Sequence, residues 1–462
     1  MLKLALPKGR LLQTTQSRLE TFGLELDGYN DESRSYRPTC CDIPELRIKV
    51  FHEKDVPVQV AVGNYDLGIC GLDWVEELLV KYPSSALVKI YDLGYGNSSL
   101  CVAMAGSFGI DSLEQLKSHD NLIRLAGEYP NLAESIAMNL RLKRFSVFPL
   151  WGAAEVYPPE NADIVLLSRT RGDGIHEHGL VPLMTVMNSS AYLIANRHSW
   201  ETKDLSQVLK VFRATDGYEE HEEMPAESTV IHTMPIYPTW QNSIRLALPD
   251  GHQNKPTVEF LHRAGVELHN TPDNPRRPSL NIDNVATKLI RPQDMPLQVA
   301  NGNFDLAITG QDWLRDHLCK FPDSPVKEIV SLGFGGVRIV AVMKHDTGIS
   351  NTGELRNALK EGRFIPLRIA SEYINIADKY ARDHHLGACR IMPTWGASEA
   401  FLPEDADLLI ENTQTGKTLV QHNLDIIDTI MESSACLIGK ADVLGRNDII
   451  ALVERLKRGI QS

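Results

Sequence analysis

This chain is written twice. Leu4-Ala5-Leu6-Pro7 returns as Leu246-Ala247-Leu248-Pro249, and Asp55-Val56-Pro57 through Gly63-Asn64-Tyr65-Asp66-Leu67 returns as Asp294-Met295-Pro296 through Gly302-Asn303-Phe304-Asp305-Leu306. Glu128-Tyr129, Trp151-Gly152-Ala153, Ala162-Asp163 and Ser189-Ser190-Ala191 recur in the same order as Glu372-Tyr373, Trp395-Gly396-Ala397, Ala406-Asp407 and Ser433-Ser434-Ala435. Solenoid units run to only ~20–50 residues, so this repeat is a duplicated globular unit. Within each copy, short apolar runs alternate with longer amphipathic stretches, the pattern of an α/β protein with mixed, mostly parallel sheets. Leu93-Gly94-Tyr95-Gly96 and Leu332-Gly333-Phe334-Gly335 read as crossovers between two lobes, with a ligand cleft between the lobes at the strand ends. The expected domains are a first copy over 1–214 (lobe I 1–94 plus 184–214, lobe II 95–183) and a second over 243–462 (lobe I 243–333 plus 427–462, lobe II 334–426). The acidic, proline-bearing stretch 215–242 is the linker.

One stretch carries chemistry. Leu408-Leu409-Ile410 reads as a buried strand, followed by Glu411-Asn412 and then Thr413-Gln414-Thr415-Gly416-Lys417-Thr418-Leu419. A strand that ends in a hydroxyl- and glycine-rich turn before a helix aims backbone N–H groups and hydroxyls at one point, where the helix dipole favours an anion. Thr413, Thr415 and Thr418 can donate to phosphate oxygens, Gly416 permits close approach, and Glu411 can accept from sugar hydroxyls. The spacing is not that of a Walker loop.

Comparing the copies shows what each has lost. At the corresponding loop the first copy has Leu167 for Glu411, Arg171 for Thr415, Asp173 for Lys417 and Gly174 for Thr418, and a carboxylate facing a phosphate is repulsive. Glu53 is read as the counterpart of Arg291. At the first strand the pattern reverses, with Lys8-Gly9-Arg10 after Pro7 and Asp250-Gly251-His252 after Pro249. Loss of opposite halves of one electropositive site is expected if one composite site persists and the other was abandoned.

Composition excludes several classes. A net charge of −13 with 47 basic residues spread along the chain argues against a nucleic-acid surface. The apolar N-terminal stretch is interrupted at Pro7, Lys8 and Arg10, and no later run reaches spanning length, so no membrane association and a cytoplasmic location are expected. Seven cysteines with no paired short spacings beyond adjacent Cys40 and Cys41 fit reduced thiols. His176-Glu177-His178 and His384-His385 read as solvated residues rather than metal ligands. Trp74, Trp151, Trp313 and Trp395 read as core or cleft-wall residues rather than base-stacking platforms.

Leu6-Pro7-Lys8-Gly9-Arg10-Leu11, Arg291-Pro292-Gln293-Asp294-Met295-Pro296 with Gly302 and Asp305-Leu306-Ala307-Ile308-Thr309-Gly310, Glu372-Tyr373, Gly396-Ala397-Ser398-Glu399 and Thr415-Gly416-Lys417-Thr418-Leu419 together resemble the ATP phosphoribosyltransferase family, whose enzymes open histidine biosynthesis. Each copy resembles the short form, which lacks a C-terminal histidine-binding domain, and none follows the second copy before Ser462. The resemblance implies a two-lobed, periplasmic-binding-protein-like (type II) fold and, from tandem fusion, an internal pseudo-dimer that can pair further. It implies attack of adenine N1 of ATP on 5-phosphoribosyl 1-diphosphate, with Mg²⁺ carried on the substrates and no protein metal site. It places Thr413, Gln414, Thr415, Gly416, Lys417, Thr418 and Leu419 at the ribose 5-phosphate, and Glu399 and Glu411 near the ribose hydroxyls or Mg²⁺, although the family usually has Asp at the Glu411 position. Arg291, with Lys8 and Arg10 from the first copy, would face the diphosphate or ATP phosphates. Arg34 lies where the family sends an arginine across the dimer interface. A histidyl-tRNA-synthetase-like regulatory subunit is a further partner of the short form. The alternative from another class is a non-catalytic ligand-binding module or regulatory pseudoenzyme of the same fold.

Overall fold

The computed structural model describes residues 1–461 except 22, 34–35, 41, 44, 111, 171–178, 214–242, 272–273 and 397. The linker 215–242, the first-copy loop residues Arg171, Asp173 and Gly174, the histidines 176 and 178, and Arg34 therefore lie outside the described residues.

Each copy forms two five-stranded sheets. In the first, Leu46–His52, Leu2–Lys8 and Leu67–Gly71 run parallel, and Ala191–Asn196 is inserted antiparallel between Leu67–Gly71 and Leu87–Asp92. Burial explains the run of apolar residues: Leu4, Ala5 and Leu6 are inaccessible on both faces because helices cover both sides of a mostly parallel sheet. The second sheet has the order Leu180–Ser189, Ser98–Ala105, Ile164–Arg169, Ile123–Gly127, Phe145–Pro149. The second copy repeats both orders, as Val285–Ile290, Ile244–Pro249, Leu306–Gly310, Ala435–Lys440, Val326–Ser331 and as Cys389–Pro393, Leu367–Ser371, Leu408–Thr413, Val337–Lys344, Leu424–Ser433. This is the two-lobed, twice-crossed architecture expected, with Gly94 and Gly96, and Gly333 and Gly335, at positive φ in the outward crossovers.

Two expectations need correction. Leu180–Ser189 and Leu424–Ser433 pair with lobe II strands, so the chain re-enters lobe I after Ser189 and Ser433, not at 184 and 427. Their alternating exposure hid this, since an edge strand half open to solvent has no unbroken apolar run. The counterpart of Arg291 is His52, not Glu53. Pro7 pairs with Phe51 and Pro249 with Ile290, so the next residues are His52 and Arg291, and Glu53 matches Pro292.

The copies pack with lobe I of each against lobe II of the other. Phe51, Val56 and Tyr65 of the first lobe I share one core with Val340, Phe401 and Leu409 of the second lobe II, where the Phe51 and Phe401 rings meet edge to face at 5.3 Å. Leu150, Ala153 and Tyr157 of the first lobe II share another with Ile290, Met295 and Phe304 of the second lobe I. The polar contacts repeat under the same pseudo-twofold, as an isologous interface requires. Arg37 and Lys49 pair with Glu404 at 2.8 and 2.9 Å, and Arg277 and Lys288 each pair with Glu160 at 2.8 Å. Lys49 also reaches Asp405 at 2.6 Å, both side chains being buried. Lys49→Ala is expected to cost about 3–5 kcal/mol, because it strands the buried Asp405 carboxylate without a cation. Urea denaturation of the variant checks this, and an unchanged midpoint would contradict the shared-core interface.

Candidate active site

The loop is built as its sequence suggests. Strand Leu408–Thr413 delivers the chain to a turn in which Gly416 takes φ 73°, and helix Lys417–Gln421 follows. Thr413 Oγ1 accepts from Gly416 N at 3.0 Å and Thr415 Oγ1 from Lys417 N at 3.5 Å, which fixes the turn's shape. Gln414, Thr415, Lys417 and Thr418 are exposed and line the open side, while Thr413 is buried beneath them. The Leu419 side chain belongs to the core shared with the first copy, so it anchors the helix and can offer a ligand only its backbone.

Beside the loop stand three carboxylates. Glu411 is buried, accepts from Ser398 Oγ and from Asn412 N, and its carboxyl is pushed up by burial and then by Glu372 and Glu399. Glu372 is pushed up to about 7 by burial and then by Glu399. Such a wall of mutually repelling carboxylates fits a cation or sugar hydroxyls against it. Glu372 carries more of this wall than its place in a Glu-Tyr pair suggested; the signal was the neighbourhood of Glu399, invisible before folding.

The first copy reaches over this site. The Tyr36 ring stacks on His422 of the loop helix at 5.7 Å, and Lys8 Nζ lies 3.4 Å from the Tyr36 hydroxyl and 4.9 Å from its ring centre. The Tyr36 hydroxyl is pushed up to about 12 by burial and then by Glu399 and Glu411, which places it beside the acidic wall. Lys8 is exposed, so its ammonium is available on that side. The crossing arginine among the described residues is Arg37, which donates to Ala400 O and to Glu404. It was legible: Tyr36-Arg37-Pro38 and Arg276-Arg277-Pro278 are repeat counterparts, and both arginines cross.

Arg10 does not join the others. Its guanidinium sits in the first copy's own cleft, 2.8 Å from Glu53 and 2.9 Å from Asp73, and donates to Ser98 and Ser168. Tyr129 donates to Asp73 at 2.8 Å, so lobe II is tied to the same carboxylate. An internal cation thus occupies the place where a substrate would separate the lobes. In the second copy His252, Pro292 and Asp312 stand at the Arg10, Glu53 and Asp73 positions, so the arginine–carboxylate part of that latch is gone, while Tyr373 still donates to Asp312 at 2.7 Å as Tyr129 does to Asp73. A cleft of about 530 Å³ opens there instead, walled by Arg291, His252, Gln253, Glu372, Asn412 and Gln414. Arg291 keeps a 3.3 Å contact with Asp250 and also lies against Gly152 of the first copy. The opposite junction, between lobe I of the second copy and lobe II of the first, is filled with charge: Arg276 bridges Asp250 at 3.1 Å and Glu155 at 2.9 Å. Arg10→Ala is expected to destabilise the chain by about 3–5 kcal/mol, since Glu53 and Asp73 lose their cation in a buried setting, while turnover of the folded fraction stays within about threefold, a small step against the hundredfold of a reacting-site donor. Unchanged melting with a hundredfold loss of turnover would instead place Arg10 at the reacting atoms.

A sequence profile for ATP phosphoribosyltransferase matches residues 52–214 and 291–458. The chain belongs to the ATP phosphoribosyltransferase family. Each half of it matches the family separately, and in each the match covers the lobe that carries the loop. Among curated relatives, the ATP phosphoribosyltransferase of Chlorobium phaeobacteroides is 32% identical over 203 residues, covering 43% of this chain and 64% of that protein. That of Saccharolobus solfataricus is 31% identical over 215 residues, covering 45% and 67%. The chain thus spans under two thirds of the first of these relatives. A chain of the ATP phosphoribosyl transferase (HisG:HisZ) complex from Thermotoga maritima aligns at TM-score 0.39 and 22% identity, over 46% of this chain and 98% of that one.

Proposed function

We propose that the chain is an ATP phosphoribosyltransferase with one working site, in the cleft between the lobes of the second copy and completed by lobe I of the first. The observation that carries this is the approach of Lys8 and Tyr36 to the acidic wall and loop helix of the other copy. In the reaction, adenine N1 of ATP attacks C1 of 5-phosphoribosyl 1-diphosphate; the N1–C1 bond forms, the C1–O bond to diphosphate breaks, and diphosphate leaves with its electron pair. N1 already carries a lone pair, so the protein's task is alignment and neutralisation of charge growing on the leaving group. The Thr413–Leu419 turn holds the 5-phosphate through backbone N–H groups and hydroxyls. Glu399 and Glu411 face the ribose hydroxyls and the magnesium carried on the diphosphate. Arg291 from its own copy and Lys8 from the other supply positive charge at the diphosphate end.

Among the described residues, no three His, Cys, Asp or Glu side chains are arranged to hold a metal ion. Magnesium enters this reading as part of the substrate complex, with Glu399 and Glu411 facing it. No helix among those residues is long and apolar enough to cross a membrane. The cytoplasm is the compartment this reading implies, the first step of histidine biosynthesis the pathway position, and a histidyl-tRNA-synthetase-like subunit the regulatory partner. A coupled diphosphate assay with ATP and 5-phosphoribosyl 1-diphosphate tests the activity. Release of diphosphate only when both are present supports it, and ligand binding without release would favour the non-catalytic alternative.

A further inference from the structure

On the pseudo-twofold axis, away from the loop, the two copies enclose a second cavity of about 530 Å³. Both lobe I helices and both lobe II loops contribute to it, and all four tryptophans predicted as core or cleft-wall residues line it. Trp151 lies 5.8 Å from Trp313 and 6.5 Å from Trp395, at tilted angles, so the three rings form an aromatic wall rather than a closed stack. Trp74 is stacked on Tyr129 at 4.2 Å and has Lys54 Nζ 4.8 Å from its ring centre, so the partly buried Trp151 and Trp395 offer the ring surface to a guest. The size is that of a small-molecule site, and most of the charged groups on its wall are already engaged: Glu77 accepts from Asn131 N and Leu132 N, Asp294 from Trp151 N, Asp316 from Asn375 N and Ile376 N, and Lys54 pairs with Glu128 at 2.7 Å.

The polar groups are sorted by depth. At the rim stand Lys81 and Lys320, exposed pseudo-twofold counterparts at the ends of helices Leu72–Lys81 and Gln311–Lys320. Deeper lie acceptors. Gln293 Oε1 is buried with no hydrogen-bond partner, and Glu372 presents a carboxyl group. A buried acceptor left unpaired destabilises the protein, and a donor on a ligand would relieve that.

We propose that this cavity is a second ligand site, for a flat nitrogen heterocycle that donates N–H groups to Gln293 and Glu372 and carries an anionic group for Lys81 and Lys320. Gln293, Trp313 and Glu372 wall both this cavity and the cleft of the second copy, so occupancy of one changes the other. A guest that takes the Glu372 carboxyl as its acceptor withdraws that group from the acidic wall that faces the substrate's ribose and magnesium, which weakens substrate binding.

Benzimidazole-5-carboxylate has this chemistry and neither phosphate nor ribose for the loop. In ligand-detected NMR titrations of the full chain it should bind with and without saturating 5-phosphoribosyl 1-diphosphate. Leu297→Trp, which fills the cavity from a position that does not line the cleft, and Lys81→Ala with Lys320→Ala should each weaken the probe by about tenfold or more, the effect of about 1.4 kcal/mol. The probe should lower affinity for 5-phosphoribosyl 1-diphosphate by about fivefold or more, the usual lower range of such coupling. No binding to the wild-type chain, displacement by 5-phosphoribosyl 1-diphosphate, or indifference to Leu297→Trp would each overturn the assignment. Binding to the cavity is read without 5-phosphoribosyl 1-diphosphate, so failure of the proposed activity leaves that part of the test intact.

Discussion

Lys8→Ala lowers turnover by about a hundredfold or more, the usual effect of removing a donor that meets charge developing in the transition state. The expectation follows from where the ammonium lies and from what the second copy lacks. Asp250 stands at the lysine position of its own lobe I and is engaged by Arg276 and Arg291, so no second-copy residue at that position can meet a departing diphosphate. Stability should hardly change, because Lys8 is exposed and held by a long hydrogen bond and a ring face. The Michaelis constant for 5-phosphoribosyl 1-diphosphate should rise less than turnover falls, since the 5-phosphate is held elsewhere. Steady-state kinetics on the full chain check this. Wild-type turnover in Lys8→Ala would mean that the second copy works without the first.

Gly416→Asp should all but abolish 5-phosphoribosyl 1-diphosphate binding. A Cβ at Gly416 meets nothing within 4 Å, so there is room for the side chain. The positive φ of 73° costs some strain, which Asp tolerates better than most residues. The principal effect is a carboxylate placed against a phosphate. Two like charges about 4 Å apart near a protein surface repel by roughly 4 kcal/mol, about a thousandfold in dissociation constant. Thr418→Ala, which removes one hydroxyl donor to a charged group, should cost roughly 1.5–3 kcal/mol. Calorimetric titration reads both, and a folded Gly416→Asp variant of wild-type affinity would remove the loop from the site.

Much of this architecture was legible because duplication lets the chain serve as its own comparison. The repeated Leu-Ala-Leu-Pro strands, the Gly-Asn turns before Asp66 and Asp305, and the paired glycines of the crossovers are local signals that need no tertiary context. The strand–turn–helix geometry of Thr413–Leu419 was legible for the same reason, since its parts are contiguous there. What was not legible depended on packing. Lys8 and Arg10 are two residues apart and of like charge, and only the fold sends Lys8 toward Tyr36 and the second copy while Glu53 and Asp73 hold Arg10 in the first. Matching Glu53 to Arg291 was a miscount, because His52 and Arg291 each stand three residues before the shared aspartates Asp55 and Asp294, the same register that strand pairing gives. The two cross-copy cores also mean that residues 243–462 alone would expose Phe401, Leu409 and Met295, so activity of an isolated copy is a poor test of site sharing.

The most direct test is a crystal structure of the full chain with magnesium and 5-phosphoribosyl 1-diphosphate. The account predicts one ligand per chain, its 5-phosphate on the Thr413–Leu419 turn, its diphosphate within hydrogen-bonding distance of Lys8 Nζ, and the Arg10 latch of the first copy still closed on Glu53 and Asp73. Ligands in both clefts, or a diphosphate held by second-copy residues alone with Lys8 turned away, would contradict it.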